Sequence, residues 1–386
     1  MRRDDSNQRP KRRGAVAVLV ALLMIPLLAM VAFAVDVGYV LTAKEEMQRT
    51  ADAAALATCW EYGKQLANGQ TAADASLAAR ATTSDYAAAN EVTNNPTYVA
   101  SNAANDPEGD VVFGYVSDLD GSANNFQTGN VNMYNAVRVR VRKDSSLNGE
   151  VPYFFARVFG MQGQMLYAQA TAAIVRDAKG FQVPADGSNI DLLPFALDLD
   201  TWNQWIAGGG DDDWNWDATT KHVVPGSDGK KEVNLYPQGT GSPGNRGTVD
   251  IGGANNSTCD IARQILDGIS PQDMVDLGKP LEFDECGKLS LNGDTGISAG
   301  VKDELAEIRG QPRVVPVFSL VEGPGNNAEY TIVKWIGIRI MDVKLTGPMS
   351  KKHVTIQSAP IVVKGIVPAS SSGTSSYVYS PVVLVE

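Results

Sequence analysis

The chain has 386 residues and a formal net charge of −11. Six cations against two carboxylates give residues 1–13 a net +4, which leaves −15 on the rest; that acidic body offers no basic stripe for nucleic acid. Two histidines and three cysteines, in no zinc-like spacing, argue against a His/Cys metal centre.

Residues 15–35 carry no charge and contain one proline, Pro26. As a helix they span about 31 Å, the thickness of a hydrocarbon core, and a membrane helix tolerates the proline. Arg2, Arg3, Arg9, Lys11, Arg12 and Arg13 precede this run, whereas Asp36, Lys44, Glu45, Glu46 and Arg49 beyond it nearly cancel. The positive-inside rule therefore puts the N-terminus in the cytoplasm and the body outside. Ala32-Phe33-Ala34 fits a signal-peptidase pattern. The apolar run is longer than the usual h-region of roughly 7–15 residues, however, and no turn residue precedes the site. Retention as an anchor is expected.

The helical period continues past the run without a stop signal. Met47, Ala51, Ala54, Ala55, Thr58, Tyr62 and Leu66 recur at helical spacing up to Asn68-Gly69. A second alanine-rich helix is expected over 71–90. The two form a hairpin or stalk, or their small-residue stripe packs on neighbouring copies. After Asn94-Asn95-Pro96 the period changes to 2. Strands are expected over 110–117 and 135–142, the latter with Arg138, Arg140 and Arg142 on a solvated face. A short helix is expected over 151–160, with Pro152 at its start, and a strand over 166–176.

From residue 181 the texture turns to Gly, Asp, Asn and Pro. A strand is expected over 192–199, then helices over 259–268, from Ser270-Pro271, and over 301–309. Strands follow over 313–321, 330–345, 353–367 and 377–385, with a Ser-rich linker at 370–376. Short helices among many strands give an α+β class. The expected organisation is a basic tail 1–13, a membrane helix 14–35, a helical stalk or hairpin 36–92, an α+β domain 93–180, and a strand-rich region 181–386.

Chemical motifs are sparse. Gly239-Thr240-Gly241-Ser242-Pro243-Gly244 matches GxGxxG, but a strand and not a helix follows, so no dinucleotide site is expected. A nucleophile would need His222 or His353 as base, and neither lies in a catalytic pattern; an anchored hydrolase is disfavoured. No cofactor is expected. The densest carboxylates are Asp211, Asp212, Asp213 and Asp217, interleaved with Trp214 and Trp216. Such oxygens can hold calcium and such rings can stack on a glycan, so a ligand-binding loop is the alternative to an acidic surface turn. Asp118-Leu119-Asp120-Gly121 reads only as a turn. Cys259 and Cys286 could pair outside the cytoplasm, leaving Cys59 over.

Three stretches carry a family resemblance: residues 12–20 around Arg12-Arg13-Gly14, Ala34-Val35-Asp36-Val37-Gly38-Tyr39, and Gln48-Arg49-Thr50-Ala51-Asp52-Ala53-Ala54-Ala55-Leu56-Ala57. Together they resemble the N-terminal region of the TadE/TadG proteins of Flp-type (tight adherence) pilus assembly. Weaker echoes extend the similarity: residues 137–141 followed by Val151-Pro152-Tyr153-Phe154-Phe155-Ala156-Arg157, then 242–250 and 313–345. The resemblance implies a bacterial inner-membrane protein that serves pilus assembly or secretion, with assembly proteins or further copies as partners and no catalytic residue. Pilin-like members cleaved by a prepilin peptidase carry a glutamate five residues after the cleavage glycine. Here the residue five after Gly14 is Leu19, so cleavage is not expected.

Overall fold

A computed structural model describes residues 14–117, 119, 125–236, 247–252, 257–295, 298–323, 328–369 and 373–385. The basic tail, the 239–244 glycine run, most of the 118–121 turn and residues 370–372 of the linker lie outside them. The fold is α+β, 33% helix and 32% strand, as the sequence indicates. The chain forms two compact units that interleave in sequence: residues 1–57, 80–112 and 138–171, and residues 58–79, 113–137 and 172–386.

Helix α1 (Gly14–Ala67) is continuous from the apolar run into the polar segment, because only isolated breakers, Pro26, Gly38 and Gly63, interrupt its helical pattern and each can be absorbed. It is long and apolar enough at its N-terminal end to cross a membrane. Helix α2 (Ala72–Ala89) follows after a short turn. In the first unit α1 buries Ala43, Met47, Thr50, Ala51 and Ala54, spaced at one face of a helix. The small-residue stripe is thus used within the chain. Polar bonds lock the same face. Thr50 Oγ1 lies 3.0 Å from the Asn90 carbonyl, the Thr93 N–H donates to the Glu46 carboxylate at 2.7 Å, and Gln48 Nε2 donates to the Gln169 carbonyl at 3.0 Å.

The first unit's strands are β1 (Val111–Gly114), β2 (Ala136–Lys143), β3 (Val151–Pro152), β4 (Gly163–Gln164) and β5 (Leu166–Ala173). β1, β2 and β5 lie side by side in that order. Two expectations are corrected here. Arg138, Arg140 and Arg142 are half-buried and not a solvated face. Arg142 pairs with buried Asp110 at 2.9 Å and with Asp144 at 3.1 Å, while Arg140 donates to the Glu108 carbonyl at 3.1 Å. They fasten the 100–110 loop, which a period-2 pattern cannot reveal. The expected helix over 151–160 is instead the antiparallel pair β3–β4 enclosing one 3₁₀ turn, Ala156–Phe159. Gly160, at φ 84°, stops that turn.

The second unit is built on the long strand 328–344. It pairs antiparallel with 312–322, 353–358 and 289–295. Both of its faces are covered, with Tyr330, Ile332 and Trp335 in one apolar cluster and Ile336, Ile338 and Ile340 in another. Trp335, fully buried, meets Phe181 edge-on at 5.1 Å and stacks on Phe283 at 5.5 Å. The helices Thr258–Asp267 and Pro271–Asp276 start on the caps Ser257 and Ser270, and Asp273 closes a capping box with Ser270. The strand expected over 192–199 shrinks to Leu197–Asp198, because Asp198 caps the helix Leu199–Ile206.

Candidate functional site

The point that joins the lipid-length apolar run to the body is Asp36, the first charged residue after that run. A carboxylate at such a boundary is costly unless it is paired. Asp36 is 5% exposed and fully engaged: Phe154 N–H donates to it at 2.7 Å, Phe155 N–H at 3.1 Å and Ala156 N–H at 2.7 Å. These three donors open the Ala156–Phe159 turn. Phe155, at its N-cap, supplies no side-chain bond, so a carboxylate 120 positions upstream in sequence does the capping. Burial pushes the Asp36 carboxyl up. The N–H bonds from Phe154, Ala156 and Phe155, with the Arg157 charge, outweigh it and hold the pKa below its ordinary 3.8. One turn along α1, Tyr39 meets the Phe154 ring edge-on at 4.9 Å. The segments 36–39 and 153–157 thus form one clamp within the first unit.

A second anchor point supports it. Arg80 on α2 is 4% exposed and donates to the carbonyls of Ser101 at 2.6 Å and Val111 at 2.7 Å, and to Asn105 Oδ1 at 2.8 Å. Planar guanidinium donors suit such a divergent set of acceptors. Sequence reasoning missed the capping role of Asp36 and missed Arg80 altogether. Asp36 carried a signal, a lone carboxylate beside a lipid-length run; Arg80 sat unmarked in an alanine-rich helix.

The acidic tryptophan stretch is not one site. Trp202 and Trp205 are buried on the helix Leu199–Ile206. Trp214 lies under Arg309 and Trp216 under Arg339, at 5.5 and 4.3 Å. Burial lowers the Arg339 pKa to about 10, so it remains charged at neutral pH. Gly310 is required beside Trp216: its φ is +82° and a Cβ there would lie 2.2 Å from the ring. Of the expected carboxylates, Asp217 turns back on Thr219 and Thr220, and Asp213 points its N–H at Glu232. Asp211 makes backbone bonds with Glu232. Only Asp212 joins other carboxylates, Asp228 and Glu232, whose oxygens come within 4.8 Å of one another. This trio has the donor type for a hard divalent cation, yet Gln357 Nε2 already donates to Asp228 and Glu232 at 3.1 and 3.0 Å.

His353 Nε2 bonds Asp342 at 2.8 Å and its Nδ1 lies 3.1 Å from the Lys351 carbonyl; among the described residues no hydroxyl or thiol bonds to it. His222 is exposed. Cys259 and Cys286 are both exposed and not bonded to each other in this structure, whereas Cys59 is buried and burial drives its pKa up.

Residues 14–60 match a family model described as putative Flp pilus-assembly TadE/G-like, and residues 42–172 match one described as putative Tad-like Flp pilus-assembly. No curated protein and no solved structure matches the chain. The resemblance of the N-terminal region is therefore borne out over 14–172; the weaker echoes at 242–250 and 313–345 fall beyond the matched span. Both halves of the Asp36 clamp lie inside it.

Proposed function

We propose that this chain is a single-pass envelope protein of Flp pilus assembly or of the related secretion machinery, with a structural role and not a catalytic one. Its N-terminus lies in the cytoplasm and its body outside the inner membrane. The observation that carries the reading is the clamp. Asp36 couples the exit of a lipid-length helix to the 151–164 hairpin, inside the span that matches the pilus-assembly models. A fixed joint at that place suits a scaffold that must hold its exterior at a set orientation to the membrane. The small-residue face of α1 is already buried, so assembly partners or further copies are left with the exposed faces of the 16–35 segment and of the body.

The two exposed thiols test the topology. A membrane-impermeant maleimide applied to intact spheroplasts, after mild reduction, is expected to label Cys259 and Cys286. Labelling that requires lysis would contradict the orientation. Repeating the experiment without reductant tells free thiols from a Cys259–Cys286 disulfide.

A further inference from the structure

The apolar tip of the β3–β4 hairpin has no role in the clamp. Val158 is 85% exposed and Phe159 83%, more than any other large apolar side chain among the described residues, those of the 16–35 run included. Phe154, Met161 and Met165 are also more than half exposed. In water this would be an aggregation-prone patch. Between residues 151 and 175 the only charged side chain is Arg157.

The position of the patch follows from the clamp. Phe154, Phe155 and Ala156 are hydrogen-bonded to the residue that immediately follows the lipid-length run, and Val158 lies two residues further on. Ala32 sits one turn before Asp36 on the same face of α1, and it alone in 16–35 is partly covered. That places chain alongside the last turn of the anchor.

We propose that Val158 and Phe159 dip into the outer interfacial layer of the same membrane that α1 spans, with Arg157 at the level of the lipid phosphates. The occupant of the patch is lipid. Aromatic and aliphatic side chains with an adjacent cation have the composition of a membrane-interface contact. The hairpin then acts as a second foot beside the anchor, and the clamp sets its depth. This inference rests on the anchored reading above.

The test uses the full chain, with its native cysteines replaced, reconstituted in phosphatidylethanolamine–phosphatidylglycerol vesicles. A nitroxide is placed singly by Val158→Cys, Leu22→Cys or Tyr98→Cys; Val158 and Tyr98 are exposed, so the fold tolerates both. Collision with oxygen, which concentrates in lipid, is compared with collision with a water-soluble nickel chelate. At Val158 oxygen is expected to dominate several-fold, as at Leu22, while at Tyr98 the chelate dominates. Three outcomes overturn the proposal. If Val158 behaves like Tyr98 while Leu22 reports lipid, the foot is in water. If Val158 is closed to both reagents, a protein surface or a second copy covers it. If Leu22 itself reports water, the anchored reading fails and the foot fails with it.

Discussion

Replacing Asp36 with alanine will free the 151–164 hairpin from α1. Three backbone N–H groups lose their acceptor, and no neighbouring side chain caps the Ala156–Phe159 turn in its place. Amide exchange at Phe154, Phe155 and Ala156 should accelerate by roughly an order of magnitude or more in the full-length protein, with the second unit unchanged. Asp36→Asn keeps one carbonyl acceptor and should fall between. The pH dependence has a fixed sign. The folded-state pKa is depressed, so the contact is fully present above the ordinary value of 3.8 and is lost only as the pH falls through the lower folded value. The wild-type hairpin should therefore stay protected down to pH 4. Exchange that is equally fast in wild type and variant at neutral pH would remove the clamp from the account.

Arg80→Met should destabilise the first unit by about 3–5 kcal/mol. The side chain is nearly inaccessible, and its loss removes a donor from the Ser101 carbonyl, from Asn105 Oδ1 and from the Val111 carbonyl, which keeps Asn102 Nδ2 at 2.9 Å. Arg80→Lys should recover only part of this, because one ammonium cannot span acceptors set for a guanidinium. Pulse proteolysis in urea, followed at cleavage sites in 90–112, measures the loss. A midpoint unchanged from wild type would show that α2 holds the loop by packing alone.

The lipid-length apolar run, the long helix and its buried face were legible because each rests on a local pattern. Met47, Ala51, Ala54, Ala55, Thr58 and Tyr62 are all buried, as their spacing requires. The caps Ser257 and Ser270 were legible because capping is local. What stayed hidden depends on pairing at long range. Pro152 and the apolar residues after it read as a helix start. The segment is a hairpin because its N–H donors are claimed by Asp36, which no window of local sequence contains. The arginines of β2 alternate like a solvated face, yet Asp110 and Glu108 arrive on a loop that precedes the strand by about 30 residues. The tryptophans beside Asp211–Asp213 suggested a ligand platform, and instead they sit against Arg309 and Arg339 from distant strands and turns. The joint between the apolar helix and the body was visible as two separate fragments of the family pattern. Only the fold shows that they touch.

A role in pilus assembly is tested most directly by counting surface filaments. An in-frame deletion of this gene in its own host should abolish Flp-type filaments, and the wild-type gene supplied in trans should restore them. Asp36→Ala, present in the membrane at wild-type level, should restore them poorly. Filaments at normal number and length in the deletion strain would contradict the account.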